Sequence, residues 1–273
     1  MFLDRIRRKP GHATADAHPW SVPALHALDE LRFTTPVTFL VGENGCGKST
    51  LLEGLAVGMD AVAAGARDLA RDDTLDAART FADACHFGRT RHPRVRLFLR
   101  AEDVFGFTRR VQADVADLGD LEQHFRNTLP EGSWGQRLAT GAARGQRRAL
   151  EAAYGSDPHA RSHGETFLAL LDRRLVPDGL YFLDEPETPL SPLRVLALVK
   201  LLADRVADGC QFIVATHSPI LMALPGATIL LLDGDGMRPV AWNDTEHVRL
   251  TKAFLDDPEN YLRRLRDAPI RRS

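Results

Sequence analysis

Five residues of very different chemistry stand past the ends of short apolar runs. Lys48 and Ser49 close "GENGCGKST" (42–50), Asp184 and Glu185 follow "LYFL", and His217 follows "QFIVAT". A lysine and a hydroxyl behind a glycine-rich loop suit a bound phosphate and the cation that travels with it. Paired carboxylates suit a cation and the deprotonation of a water. A histidine suits proton handling or a phosphate contact. The loop matches G-x-x-x-x-G-K-[ST], with Gly42, Gly47, Lys48 and Ser49 at the fixed places. Glu43, Asn44, Gly45, Cys46 and Thr50 complete it, their amides free to wrap an anion at a helix start. Cys46 reads either as a small filler or as a thiol that oxidation could turn against phosphate.

These residues need a scaffold that brings distant strand ends to one edge. "VTFLV" (37–41), "LYFL" (180–183) and "QFIVA" (211–215) lack polar alternation, as strands buried on both faces of a parallel sheet do. Helical patterns lie between them, from Lys48 through "STLLEGLAVGMDAVA", over "FLALLDRRL", and over 191–208. The last begins Ser-Pro and stops at Gly209. An α/β fold with a mainly parallel sheet follows. "FLDRIRR" and "LDELRF" predict an antiparallel edge, and 228–242 a hairpin around Asp-Gly-Asp-Gly. "RLFLRAEDVF" predicts a strand, and "ADLGDLEQHFRNTL" a helix. The Gly-rich 129–146 segment reads as a mobile loop or subdomain edge.

The bulk properties narrow the class. A net charge of −2 gives no global argument for nucleic acid or an acidic membrane. Arginine clusters at 5–9, 89–96, 144–148 and 263–272 read as solvated surface or as local contacts to DNA. Three scattered cysteines lack metal or disulfide spacing. The N-terminus lacks the apolar run of a secretory signal, and no stretch approaches ~18 apolar residues. A cytoplasmic protein without membrane insertion is expected.

"RSHGETF" (161–167) holds a possible capping box, with Ser162 taking the Glu165 amide and the Glu165 carboxylate reaching back to the Ser162 amide. Its second meaning comes from the whole set of motifs. "VTFLVGENGCGKSTLLE", "LFLRAE", "SHGE", "LDEPETPLSP" and "ATHSPIL" together resemble the ABC-type heads of P-loop ATPases. They are most similar to short stand-alone bacterial ATPases described as AAA-family or SMC-like. The resemblance implies a P-loop NTPase fold, ATP and Mg²⁺, and an ATP-dependent head-to-tail homodimer. In it Ser162, Gly164 and Glu165 of one copy meet the phosphate held by the other. Lys48, Glu185 and His217 would be catalytic, and Ser49 and Asp184 would hold Mg²⁺. Glu102 stands where many heads place a glutamine, near the metal. Trp20 would stack on adenine or, equally, serve as a core aromatic. The 189–192 turn would cross between subunits.

The single domain divides, on this reading, into a core of 1–64 and 165–273 and a helical subdomain of 65–164. ATP hydrolysis is the first function. The alternative is an ATP-gated clamp or scaffold in DNA maintenance or phage defence, with DNA or a protein as the load. A transporter subunit fits less well, because the Leu-Ser-Gly-Gly-Gln signature is missing. A GTPase is disfavoured without Asn-Lys-x-Asp, and a long coiled coil without sustained heptads.

Overall fold

The computed structural model describes residues 1–11, 17–63, 75–154 and 163–267; side chains are described throughout these except at 101–112, 151–154, 163 and 264–267. Two sheets organise the described chain. The smaller is antiparallel, ordered β2–β1–β5, from β1 (Leu3–Arg8), β2 (Glu30–Arg32) and β5 (Cys85–Arg89). The larger has seven strands. Its centre holds β3 (Val37–Val41), β8 (Gln211–Ala215), β7 (Gly179–Asp184) and β6 (Val95–Arg100), all parallel neighbours. The short β4 (Val62–Ala63) extends one edge in parallel. On the other side β9 (Thr228–Asp233) runs parallel to β3 and forms an antiparallel hairpin with β10 (Gly236–Val240).

The non-alternating apolar strands have two cores to fill. In β7, Leu180 and Phe182 point into one cluster, while Tyr181 and Leu183 point into the other. In β8, Ile213 and Ala215 face the first and Phe212 and Val214 the second. The first core is closed by the small sheet, α1 (Pro23–His26), α2 (Lys48–Gly58) and α3 (Asp76–Asp83). The second is closed by α6 (His163–Arg174) and α7 (Pro192–Ala207). Ser191 precedes Pro192 in extended conformation, and Gly209 takes φ 84° past the end, as the sequence predicts for α7.

Two expectations change. The helix after the P-loop ends at Gly58, where Met59 leaves helical geometry and Asp60 turns to φ 51°. The middle of the chain is more regular than its composition suggests. After Arg100 the chain enters α4 (Ala101–Thr128), turns, and returns along α5 (Trp134–Tyr154). The Gly-rich 129–146 segment is therefore mostly helix. Ser133 caps it by accepting from the Gln136 amide at 3.1 Å, while the Gln136 side chain accepts from the Gly132 amide at 2.8 Å. Glu122 of α4 binds Arg126, Arg144 and Arg147, which ties the two helices together. The Arg144 hydrogen bond foremost holds the Glu122 carboxyl below its usual range. Within the 65–164 stretch, strands β5 and β6 lie in the sheets, and the described long helices α4 and α5 cover 101–128 and 134–154. The last described elements are α8 (Glu246–Asp256) and α9 (Pro258–Asp267).

One buried amide joins the two sheets. Gln211, 1% exposed at the start of β8, accepts from the amides of Phe2 and Leu3 at 2.6 and 3.0 Å. Its Nε2 donates to the Leu3 carbonyl at 2.7 Å. Gln211→Leu strands three buried backbone groups, so we expect a loss of roughly 2–4 kcal/mol in urea unfolding. A loss under about 0.5 kcal/mol, the range of ordinary surface substitutions, would contradict this role.

Candidate functional site

Three parallel strands end side by side, and each delivers part of the site. From β3 the chain enters the P-loop. Gly42 (φ 147°) has room only for hydrogen, since a Cβ there would lie 2.3 Å from the Leu232 carbonyl oxygen and 2.7 Å from Cys46 Sγ. At Gly47 (φ 100°) a Cβ would meet Val22 at 2.8 Å, so this glycine lets α2 start close against α1. Lys48 is only 6% exposed. Its ammonium donates to the carbonyls of Gly42 at 2.9 Å and Glu43 at 2.8 Å, with Cys46 Sγ at 3.8 Å. The cation is thus held in the concavity of the loop. Ser49 donates its hydroxyl to Asp184 Oδ1 at 3.3 Å, joining the loop to the end of β7.

Asp184 and Glu185 diverge because the backbone turns sharply between them. Glu185 adopts φ 46°, a region non-glycine residues rarely occupy, and its amide still donates to the Ala215 carbonyl at 2.9 Å. Asp184 stays with the loop, and Glu185 points toward His217, with Oε1 3.6 Å from Nε2. Burial chiefly pushes the Asp184 carboxyl up to about 6. Glu53 and Glu185 add to the rise, against the Ser49 hydrogen bond and Arg100. A hydroxyl and a high-energy carboxylate, both hard oxygen donors, suit a divalent cation such as Mg²⁺.

His217 is fixed from both its backbone and its ring. Glu187 Oε1 accepts from the amides of His217 and Ser218 at 2.9 and 3.1 Å and from the Thr216 hydroxyl at 2.5 Å. Burial raises the Glu187 carboxyl despite these bonds. His217 Nδ1 lies 2.8 Å from Nε2 of His247, on α8. Burial foremost, then the nearby Lys48 and His247, push the His217 imidazole below its usual value, with Glu185 opposing.

The structure thus gathers Lys48, Ser49, Asp184, Glu185 and His217. Gly164 and Glu165 find described contacts elsewhere. Gly164 is buried at the start of α6, where a Cβ would lie 3.1 Å from the Pro189 carbonyl oxygen. The Glu165 carboxylate binds Arg194 at 2.6 Å. The expected reach of Glu165 back toward residue 162 falls outside the described residues, as does Ser162 itself. Glu102 is the second residue of α4, and its side chain also lies outside the described set. Of its two expected places, Trp20 takes that of a core aromatic. It is 1% exposed, stacked on Phe81 with centroids 5.3 Å apart, with the Arg8 guanidinium 5.5 Å from its ring centre. Core packing claims the ring, leaving no face for a base. Beside the P-loop, a cleft of about 830 Å³ opens between Glu43 and Asn44, the β9–β10 turn at Asp233, and Glu246, Arg249 and Leu250 of α8.

Sequence reasoning passed over three residues here. Arg100 pairs with Asp184 in strand register and binds Glu53 at 2.5 Å. Its signal was a strand ending "FLR" whose tip falls level with "FLD". Glu187 was legible only as the second acid of "DEPE". His247 has no local signal, being 30 residues from its partner.

Comparison with known proteins follows the same lines. Residues 25–112 match an AAA domain family, and 166–223 match the family described as AAA domain, putative AbiEii toxin, Type IV TA system. These stretches contain the P-loop, the acidic pair and His217. Both stretches are thus similar to AAA-domain P-loop ATPases. It is 27% identical over 225 residues to the macrolide export ATP-binding/permease protein MacB of Marinobacter nauticus. That match covers 79% of this chain but spans about a third of the relative's length, 31%. Looser likenesses, which carry no argument, include an Smc head domain from Pyrococcus furiosus and a putative metal-chelate type ABC transporter. The Smc head is 11% identical at TM-score 0.44, covering 94% of this chain and 100% of that one. The transporter is 18% identical at TM-score 0.45, covering 93% and 90%. Among the described residues, no helix is long and apolar enough to cross a membrane.

The raised Asp184 carboxyl has a measurable cost. An unfolded aspartate titrates near 3.8, so the folded chain disfavours the charged form above about pH 6 and regains that stability as pH falls through 6 toward 3.8. In metal-free buffer Asp184→Asn should raise stability by about 1–3 kcal/mol at pH 8 and leave it unchanged near pH 4. Thermal unfolding at both pH values checks this. A destabilised Asn variant at pH 8 would contradict it.

Proposed function

We propose that this protein is an ATPase that binds Mg²⁺-ATP across the P-loop and cleaves off the γ-phosphate. The observation that carries the proposal is the convergence of Lys48, Ser49, Asp184, Glu185 and His217 at adjacent strand ends, with the Ser49–Asp184 hydrogen bond as its joint. In this reading the amides of 43–49 and the Lys48 ammonium bind the β- and γ-phosphates. The nucleoside takes the cleft beside Glu43 and Asn44. Ser49 and Asp184 would hold Mg²⁺, which when bound neutralises charge on the phosphate oxygens. Glu185, turned away from Asp184 by its positive φ, accepts a proton from the attacking water. His217 donates from Nε2 to the γ-phosphate and restrains Glu185.

Two chains complete the site in this proposal. The first turn of α6, with Ser162, Gly164 and Glu165, offers a helix N-terminus to the phosphate bound by the other copy. What supports it is the position of Gly164 against the 189–194 turn, which places the two segments expected at such an interface next to each other.

Glu185→Gln tests the chemistry. The amide keeps the shape and loses the base, so turnover should fall by roughly 100-fold or more while ATP affinity stays within about threefold. Light scattering with ATP should then show a long-lived dimer. Full turnover in the variant would remove Glu185 from the mechanism. A variant that stays monomeric with bound ATP would remove the dimer.

A further inference from the structure

The sharpest arrangement not yet assigned is the pairing of two imidazoles. Nδ1 of His217 and Nε2 of His247 are 2.8 Å apart, and the rings meet edge to face with centroids at 4.9 Å. His247 lies in the first turn of α8, one of the walls of the cleft beside the P-loop. We propose that His247 is a positioning residue that fixes the ring and tautomer of His217, so that Nε2 of His217 always presents its proton to the reacting phosphate. This rests on the placement of His217 in the reading above.

The proton count leaves one arrangement for two neutral rings. Nε2 of His217 faces the Glu185 carboxylate at 3.6 Å and, in the proposed complex, phosphate oxygens. Ionised, both are acceptors only, so Nε2 must carry hydrogen. Nδ1 is then a bare lone pair and needs a donor. His247 Nε2–H is placed to supply it. The second ring does for a histidine what a carboxylate or carbonyl does in other sites, except that it donates and so selects the opposite tautomer. Glu187 fixes the peptide while His247 fixes the ring, which leaves His217 little freedom.

The groups facing His217 are Lys48 from α2, Glu185 from the end of β7, Glu187 through the backbone, and His247 from α8. Removing His247 takes away one influence that keeps His217 neutral. The acid limb of activity should therefore move to higher pH.

The experiment combines three His247 variants and a His217→Ala background with a readout that does not need activity. In nucleotide-free wild type, ¹⁵N imidazole spectra should show His217 as a single Nε2–H tautomer. In His247→Ala it should become a mixture. At pH 8 the Ala variant should lose roughly 10- to 100-fold in kcat with little change in KM. His247→Gln, whose amide can donate to Nδ1, should recover most of the rate, and the isosteric His247→Phe should not. In a His217→Ala background, His247→Ala should cost nothing further. Retention of wild-type rate and pH profile in His247→Ala, or Gln behaving like Phe, would overturn the proposal. So would a His217 tautomer that ignores His247. A fixed tautomer in a wild-type protein without ATPase activity would instead sink the hydrolytic reading and leave the pairing standing.

Discussion

Crowding of carboxylates at one strand end sets the terms for the rest of this structure. Asp184 ends β7, Glu185 and Glu187 follow within three residues, and Glu53 stands close enough to raise Asp184 further. Like charges in a partly dry site repel strongly unless each is given its own partner. The chain supplies those partners one by one. Ser49 takes Asp184, Arg100 takes Glu53, and Glu187 turns inward to three donors at 216–218. Glu185 is sent the other way by a strained backbone. Each solution is also a placement, so the electrostatic problem and the functional geometry are the same thing.

That arrangement depends on the sheet. Parallel pairing brings the C-terminal ends of β3, β7 and β8 to one edge, with Leu183 beside Val214 and Asp184 beside Ala215. A ligand at this edge meets groups separated by more than a hundred residues in sequence. Gln211 at the opposite end of β8 anchors the small sheet. Residues at the two ends of one strand thus serve different purposes: stability at the start and chemistry past the end.

The central fold was legible because its signals are local. A glycine loop before a helix, three runs apolar on both faces, and Ser-Pro ahead of α7 each act within a few residues. Composition misled at 129–146. Its glycines suggested a loop, but Ser133 and Gln136 form a capping arrangement there, and Glu122 draws in arginines from the returning helix. Gly135, Gly141 and Gly145 have open space where a Cβ would stand, so they weaken the helix without shaping it. Trp20 was ambiguous because burial depends on Phe81, far along the chain. His247 was invisible for a related reason. Its role exists only through a tertiary neighbour 30 residues away, and a lone histidine in a sequence carries no record of it.

The joint between loop and strand, Ser49 with Asp184, is the contact on which the account stands most directly. Equilibrium binding of a slowly hydrolysed ATP analogue, titrated with and without Mg²⁺, measures it. The wild-type protein should gain about tenfold or more in affinity from Mg²⁺, and Ser49→Ala should lose most of that gain while keeping its metal-free affinity. Equal Mg²⁺ dependence in both proteins, or none in either, would contradict a cation held between these two residues.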